Sequence, residues 1–428
     1  MAVWRRCSEM SEMKDSGIEW IGEIPNEWNM LPVKRFFRNE KKIVGSAVDE
    51  YERLALTMNG VIKRSKDDSE GLQPEKFEGY QILKKNELVF KLIDLENVKT
   101  SRVGLSPYTG LVSPAYIVIT NDKEDNRFYY YWFMFMYYNE VFNHLGGEGV
   151  RSALNAKDVL SLPVPAINEA MMKNIADYLD RKCEKIDDII EKQKQVIEKL
   201  KEYKLSIITE AVTKGLNPDV KMKNSGVEFL GRVPDNWDII KFGRCISIKS
   251  NLVPPESYYD YPQIAPDSIE KNSAKLLNYK TVRESGVISW NHLFFKGQII
   301  YSKIRPLLNK VIIAPFDGLC SADMYPIETD NNSKYIVYIM LSDYFLTQVA
   351  LLTENRVKMP KINQNELSGI MIALPPIKEQ QQIADYLDKK CSAIDKAIEK
   401  KQAIIDKLTE YKKSLIYEVV TGKRECLE

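Results

Sequence analysis

The chain has 428 residues, 44% of them hydrophobic and 10% aromatic, so it can bury two ordinary cores and should form at least two domains. Its most apolar segment, residues 128–138, is short and flanked by charges, which predicts neither a membrane span nor a signal peptide. The formal net charge of +1 counts against a strongly basic nucleic-acid binder, so any basic surface must be local.

The cysteines and histidines do not suggest a metal or disulfide framework. The six cysteines are scattered without a CxxC pair, and the only histidines are His144 and His292. No metal site and no catalytic residue is therefore expected. Dispersed thiols fit a reducing cytosol, and a cytoplasmic location is expected.

Along the chain, the first motif is one copy of an internal repeat. Residues 14–28 read K-D-S-G-I-E-W-I-G-E-I-P-N-E-W, and residues 223–237 read K-N-S-G-V-E-F-L-G-R-V-P-D-N-W. Ser16 maps onto Ser225 and Trp28 onto Trp237, an offset of 209 positions in both cases. A repeat this long excludes solenoids, whose units run to roughly 20 to 50 residues.

The first predicted domain covers residues 1–167. Short β-branched runs at 88–90 and 116–120 predict strands, and residues 127–144 predict a helix. The aromatic residues of that helix suggest base stacking, but at helical spacing an aromatic stripe is more often core, and we expect core here.

A long helix is predicted over residues 168–213, which carry apolar residues at heptad spacing and neither Gly nor Pro. The expected coiled-coil seam comprises Leu179, Cys183, Ile186, Ile190, Ile197 and Leu200. Gln193 interrupts the stripe, and a polar residue at such a position commonly fixes register at a cost in stability.

The second half repeats this order, with a domain over residues 214–376 and a second long helix over 377–428. Residues 298–302 and 311–314 predict strands, and 333–351 predict a helix. The matching seam comprises Leu387, Cys391, Ile394, Ile398, Ile405 and Leu408, with Lys401 as its polar interruption. I-A-D-Y-L-D-R-K-C at 175–183 recurs as I-A-D-Y-L-D-K-K-C at 383–391, an offset of 208.

The linker between the halves predicts the helix orientation. A helix of about 40 residues is roughly 60 Å long, whereas residues 215–225 reach at most roughly 35 to 40 Å when extended. The linker is therefore too short to lead back along the helix, as a parallel pair would require, whereas an antiparallel pair does not require it. The expected fold class is therefore α+β, with two similar mixed α/β domains joined by two long antiparallel coiled-coil helices in a pseudo-two-fold arrangement.

The motifs S-G-[IV]-E-[WF]-[IL]-G-x-[IV]-P-x-x-W and I-A-D-Y-L-D resemble those of specificity subunits of type I restriction-modification enzymes. The resemblance covers nearly the whole chain. It implies that each domain is a target-recognition domain that reads one half of a split, asymmetric sequence in double-stranded DNA, with the helices setting the spacing. It also implies two modification subunits that bind S-adenosylmethionine and methylate adenine, and restriction subunits that use ATP and Mg, with no cofactor bound by this chain.

DNA contacts are expected from basic and polar side chains at loop and strand ends. In the first domain the candidates are Lys63, Arg64, Lys91, Arg102, Ser113, Arg151 and Ser152. In the second they are Lys303, Arg305, Asn309, Lys310, Ser321, Arg356 and Lys358. Lys303, Arg305 and Lys310 have no acidic residue between them in sequence, which would supply a local basic surface. The alternative for each residue is solvated surface, and Ser113 and Ser321, in matching turns, could be structural.

Two other functions remain open at this point. The chain could be a coiled-coil scaffold that joins two protein-binding domains without recognising DNA. A self-contained methyltransferase or nuclease is disfavoured, because no N-P-P-[YF] motif, F-x-G-x-G loop or phosphate loop is present. The glycines at 146–149 do not open a helix after a strand, so no nucleotide loop is expected there.

Overall fold

The computed structural model describes residues 12–58, 60–66, 76–93, 95, 102–123, 125–145, 153–354, 356 and 359–426. The chain forms two compact units, one of Met1–Lys192 with Ile404–Glu428 and the other of Gln193–Ala403. The boundary between units therefore falls within the long helices, whereas the domain boundaries expected from the sequence lie at the helix ends. Each domain shares one hydrophobic core with the helix segments beside it, which accounts for the difference.

The chain up to the end of the first long helix contains eleven named strands and four α-helices among the described residues. Strands β1 to β11 span Met13–Asp15, Glu23–Pro25, Asn29–Pro32, Arg53–Thr57, Gly60–Arg64, Gln81–Leu83, Leu88–Lys91, Arg102–Leu105, Gly110–Val112, Ile117–Ile119 and Pro163–Ala166. Helices α1 to α4 span Arg127–Tyr138, Val141–His144, Ala156–Ser161 and Glu169–Lys214, and 3-10 turns span Val33–Arg35 and Gly45–Glu50.

The first domain contains two larger sheets packed face to face, together with the two-stranded sheets β1-β2 and β11-β3. One has the order β5-β4-β9-β6, with β4 and β9 parallel, and the other has the order β10-β7-β8. The core between them is aliphatic and comprises Leu54, Leu56, Val61, Leu83, Val89, Val112 and Val118. Gly104 lets the sheets approach, since a Cβ there would lie 2.6 Å from Leu56 Cδ1.

Helix α1 covers the other face of the three-stranded sheet. Phe128, Tyr129, Trp132, Phe133 and Phe135 are all buried there, so the expectation that the aromatic stripe is core is confirmed. The prediction of a single helix over residues 127–144 is wrong, because the range contains two helices. The helix breaks between α1 and α2, where Glu140 adopts a left-handed conformation with φ of 56° that an α-helix does not accommodate.

The rest of the chain contains the second domain and the second long helix. Strands β12 to β24 span Met222–Asn224, Arg232–Pro234, Asp238–Lys241, Ser247–Ile248, Leu252–Val253, Pro262–Ile264, Lys280–Thr281, Asn291–Phe294, Ile299–Ser302, Val311–Ile313, Gly318–Cys320, Met324–Glu328 and Met371–Leu374. Helices α5 to α9 span Val282–Ser285, Ser333–Leu341, Asp343–Thr353, Gln364–Gly369 and Ile377–Val420. Further 3-10 turns span Phe242–Arg244, Pro255–Tyr258, Pro266–Ser268 and Pro306–Leu308.

The second domain repeats the strand topology of the first. Its two larger sheets have the orders β16-β19-β22-β17-β18 and β15-β23-β20-β21, and β12-β13 and β14-β24 form two-stranded sheets. The parallel pair β17–β22 corresponds to β4–β9, and the antiparallel pair β20–β21 corresponds to β7–β8. The sequence repeat therefore extends to the domains, although their residues differ strongly.

The helix expected over residues 333–351 is also two helices, α6 and α7. Ser342 lies between them in an extended conformation, and its buried hydroxyl donates to the carbonyl of Ile339. Among the described residues no single helix is long and apolar enough to cross a membrane. The α6–α7 pair, bent by 61°, passes that test on length and composition alone.

The long helices α4 and α9 run antiparallel, as expected. Lys412 pairs with Asp187 in the first unit and Lys204 pairs with Asp395 in the second, so residue numbers rise along one helix as they fall along the other. All twelve predicted seam residues are buried or half-buried. The second helix ends at Val420, earlier than residue 428, because the chain turns at Gly422 with φ of 73°.

Candidate nucleic-acid interface

In the first domain, two cations face each other across adjacent strands. Lys91 at the end of β7 lies directly opposite Arg102 at the start of β8, and both side chains are half-buried. Side chains alternate along a strand, so Lys91 and Arg102 lie on the same face of the sheet as Val89 and Gly104. Val89 belongs to the core between the two sheets, and the two cations lie just beyond the edge of that core. Both residues were predicted from the sequence, and the structure brings them together.

A second cross-strand pair of cations joins Arg53 on β4 to Arg64 on β5. The Arg53 guanidinium lies 5.5 Å from the centre of the Phe77 ring, and its Nη1 donates to the carbonyl of Ser65 at 3.4 Å. Arg64 was predicted, whereas Arg53 was missed because it opens the apolar run R-L-A-L-T and looked like part of a core strand. The alternation of that run places Arg53 on the face opposite Leu54 and Leu56, where it is only 8% exposed and packs against Phe77.

Lys63 has an acidic neighbour within the protein. Its ammonium lies 2.6 Å from the Glu52 carboxylate, and that hydrogen bond raises the pKa of Lys63. The ammonium also lies 5.2 Å from the centre of the Tyr108 ring. Half of the Lys63 side chain is exposed, so it can reach a phosphate. That phosphate would have to compete with the Glu52 carboxylate.

Ser113 and Ser321 hold equivalent turns. The Ser113 hydroxyl accepts from the backbone N–H of Ala115, and the Ser321 hydroxyl accepts from that of Asp323. Each hydroxyl is thus used in a local turn. This agrees with the structural role that the sequence left open for these serines beside a role in DNA contact.

A buried polar side chain lies beside each of these two turns. Gln81 donates to the carbonyls of Ser113 and Tyr116. Gln81 pairs with Val112 as His292 pairs with Cys320, so the two occupy one position of the repeat. His292 is buried there, and its Nδ1 has no hydrogen-bond partner among the described residues.

Lys303 lies close to an acidic residue, which corrects the expectation of a local basic surface free of acidic neighbours. Asp323 is distant in sequence but lies 3.9 Å from the Lys303 ammonium, which donates to the Ala322 carbonyl at 2.7 Å. Lys361 shares the same carboxylate at 3.1 Å. The antiparallel pairing of β20 with β23 brings these residues together, and sequence spacing does not reveal it.

Three other candidates of the second domain serve the fold. Asn309 is fully buried with φ of 42° and donates to the Met340 carbonyl, so the expectation of a DNA contact there is corrected. Lys310 donates to the Pro266 carbonyl at 2.6 Å. Arg356 forms an ion pair with Glu366.

Arg305 keeps an exposed side chain at the start of a 3-10 turn. Its backbone is left-handed, with φ of 45°, and its N–H donates to the Pro360 carbonyl at 2.8 Å. The turn is therefore fixed while the guanidinium faces solvent. The remaining candidates, Arg151, Ser152 and Lys358, lie outside the described residues.

Among the described residues, no group of three or more His, Cys, Asp or Glu side chains could hold a metal ion. Burial raises the pKa of the Cys183 and Cys391 thiols to about 11, so both stay protonated at neutral pH. Burial, followed by the charge of Lys303, lowers the pKa of His292. These groups pack within the protein, and the cationic strand ends are the surface that can contact an anionic partner.

The family model described as "Type I restriction modification DNA specificity domain" matches residues 234–410. The type I restriction enzyme EcoDI specificity subunit of Escherichia coli is 35% identical over 239 residues, which cover 52% of this chain and 53% of that protein. The chain thus aligns with about half the length of that relative.

Two further similarities cover most of the chain. A Methanocaldococcus jannaschii protein assigned as the type I restriction enzyme MjaX specificity subunit is 27% identical over 407 residues, covering 88% of this chain and 89% of that protein. A chain from a solved structure described as the basis of complex assembly and conformational transition of the type I R-M system has a TM-score of 0.66 at 12% identity, covering 93% of this chain and 98% of that one, which shows a shared fold. With the matching domain and these relatives, the chain is similar to type I restriction enzyme specificity subunits over most of its length.

Proposed function

We propose that this chain is the DNA sequence-specificity subunit of a type I restriction-modification complex, in which each domain recognises one half of a bipartite, asymmetric target. The observation that carries this proposal is the position of Lys91 and Arg102, which lie directly opposite each other at the ends of β7 and β8 and are both partly exposed. Cations gathered at strand ends can neutralise the phosphates of DNA.

The strand register also supports the proposal that the two domains recognise different DNA sequences. Gly110 and Leu111 correspond to Gly318 and Leu319 in the repeated topology, so Arg53, beside Leu111, corresponds to Gln263, beside Leu319. The four cations and their equivalents are Arg53 with Gln263, Arg64 with Lys280, Lys91 with Ser302, and Arg102 with Lys310. Two of the four positions change from a cation to a neutral residue, which supports recognition of an asymmetric target.

The proposal includes the partners that such a complex needs. The chain recruits two modification subunits, which bind S-adenosylmethionine and methylate adenine, and restriction subunits, which use ATP and Mg. It binds no cofactor and carries out no catalysis itself, and the complex works in the cytoplasm. The names of the relatives, all specificity subunits of restriction enzymes, support this division of labour.

The test is to mix the purified chain with its modification subunit and to measure assembly and DNA binding. We expect a one-to-two complex that binds a duplex selectively and loses affinity as salt rises. The double variant Lys91→Ala with Arg102→Ala should reduce the salt slope by roughly 2, at about 0.9 per phosphate contact. Lys157→Ala, on the exposed face of α3, is the matched control and should leave the slope unchanged.

Two results would contradict the proposal. A chain that stays monomeric beside the modification subunit would exclude the assembly. An assembled complex that shows no sequence-selective, salt-dependent binding would instead favour the scaffold function.

A further inference from the structure

The second domain exposes two large apolar side chains on one short loop. Residues 286–290 connect α5 to β19, and within them Ile288 is 88% exposed and Trp290 is 58% exposed. Isolated exposed apolar residues are ordinary, but two on one loop of five residues mark a surface that binds something.

The loop is held by hydrogen bonds at both ends. Gly286 ends α5 in a left-handed conformation, and the N–H of Val287 donates to the Ser285 hydroxyl at 3.4 Å. At the other end, Asn291 is 1% exposed and donates to the Ser289 carbonyl at 2.8 Å. The loop therefore presents Ile288 and Trp290 in a fixed conformation, so little entropy is lost when they bind.

The buried amide of Asn291 also ties the loop to the sheet. Its Oδ1 accepts from the Nε2 of Gln263 at 3.4 Å, and Gln263 lies opposite Lys280 at the end of β18. The loop thus ends beside the strand that carries Lys280. In the first domain the equivalent strand end carries Arg64 opposite Arg53.

This strand end carries an exposed or half-buried cation in both domains, although the domains otherwise differ. A second exposed cation, Arg283, lies on the helix between Lys280 and the loop, 4.9 Å from the centre of the Tyr259 ring. Its guanidinium also pairs with Asp260 at 3.2 Å, so a phosphate would have to displace that exposed carboxylate. Cations that flank an apolar loop fit DNA, where phosphates border the stacked bases. A surface that docked only protein would not need a cation conserved in position between the two halves of the repeat.

We propose that Ile288 and Trp290 form an apolar wedge that inserts beside a base step in the half of the target read by the second domain. The wedge partly unstacks that step, while Lys280 and Arg283 contact the adjacent phosphates. Apolar wedges of this kind kink duplex DNA at steps that unstack readily, which adds selectivity without a hydrogen bond to a base edge. This inference rests on the proposed function.

The experiment uses the assembled complex with its modification subunits. The probe is a duplex that carries the split motif found by sequencing methylated adenines in the host DNA, with 2-aminopurine replacing in turn each adenine of the second half other than the methylated one, which a methyltransferase itself flips out of the stack. We expect one position to brighten on binding, because 2-aminopurine fluorescence rises when the base unstacks. Ile288→Ala with Trp290→Ala should abolish that rise and weaken binding roughly tenfold, the order expected for one lost stacking contact.

Phe229→Ala is the matched control, since Phe229 is 42% exposed in the same unit on the turn between β12 and β13. It should leave both the fluorescence rise and the affinity unchanged. Thermal unfolding of both variants should match the unmodified chain, because the substituted side chains are exposed.

The outcomes separate the wedge from the proposed function. If the unmodified complex binds no duplex selectively, the proposed function fails. If it binds, but the double variant keeps the fluorescence rise and the affinity, the wedge is wrong. If the double variant no longer assembles with the modification subunit, the loop is a protein-docking surface and the wedge is again overturned.

Discussion

The ammonium of Lys204 on α4 lies 2.7 Å from the carboxylate of Asp395 on α9, and it links the two long helices within the second unit. Lys412 and Asp187 make the equivalent link in the first unit, with the lysine now on α9. Each helix therefore contributes one cation and one anion, and this reciprocal pattern fits only an antiparallel pair.

The Lys204 link should contribute measurably to stability. Its side chain is 13% exposed, whereas Asp395 is 48% exposed, so solvent screens part of the attraction. Lys204→Met should lower the free energy of unfolding by about 1 kcal/mol in urea titrations. Lys201→Met, which removes an exposed pair with Glu198 on the same helix, should change it far less. An exchange of the two charges, Lys204→Asp with Asp395→Lys, should recover part of the loss, and no recovery would argue against the pair.

Gln193 should lower the free energy of unfolding of the protein. Its Oε1 is buried and has no hydrogen-bond partner among the described residues. Since an unpaired buried acceptor costs roughly 1 to 3 kcal/mol, Gln193→Leu should raise the free energy of unfolding by about that amount. The exposed Asn174 on the same helix gives the control Asn174→Leu, which should have little effect. Equal midpoints of thermal unfolding for both variants would show that the buried amide is not penalised.

Gly104 should not tolerate a larger residue. The Cβ of Gly104→Ala would lie 2.6 Å from Leu56 Cδ1 and 2.9 Å from Val61 Cγ2, so the two sheets of the first domain must move apart. We expect a loss of about 1 to 3 kcal/mol, measured by chemical denaturation. Gly79→Ala has no atom within 4 Å of its new Cβ and serves as the control. An unchanged stability of Gly104→Ala would mean that the sheets are packed less closely than described.

The stability of the second domain should depend on pH through His292. Burial lowers the pKa of His292 in the folded protein, while the unfolded chain keeps a value near 6.5. The unfolded state therefore binds more protons in this range, and stability present above about pH 6.5 is lost as pH falls through the lower folded pKa. His292→Gln, which copies Gln81 of the first domain, should flatten the dependence of the free energy of unfolding on pH as the pH falls below about 6.5. The same slope in both proteins would assign the effect to other groups.

The two domains should read DNA independently. Replacing residues 29–165 by the corresponding domain of a relative should change one half of the methylated motif in the host genome and leave the other half intact. Replacing residues 238–375 should change the opposite half. Methylome sequencing measures both, and a change in both halves after one exchange would contradict independent reading.

The scaffold could be predicted from the sequence because its residues repeat in patterns of known period. Leu179 and Leu387 mark the seam by heptad spacing, and Trp28 and Trp237 mark the repeat by a fixed offset. The breaks at Glu140 and Ser342 could not be predicted, because apolar residues continue on both sides of each break and only the backbone turn separates the helices.

The surface was harder to predict, because strand pairing decides which side chains meet. Lys91 and Arg102 were chosen separately for their charge, and only the register places them opposite each other. Asn309 is polar in sequence yet buried, since its amide closes a turn against Met340. Trp290 shows the opposite case, because it is apolar in sequence yet exposed in the fold.

The last turns of α9 complete the core of the first domain. Leu415, Ile416, Val419 and Val420 are all buried with residues of the N-terminal part of the chain, among them Ile21 and Trp28. Domains usually fold in the order in which the ribosome makes them. Here the domain that is synthesised first lacks part of its core until the C-terminal segment leaves the ribosome, whereas the second unit, Gln193–Ala403, is already whole by then. The first domain to be synthesised is thus the last to be finished.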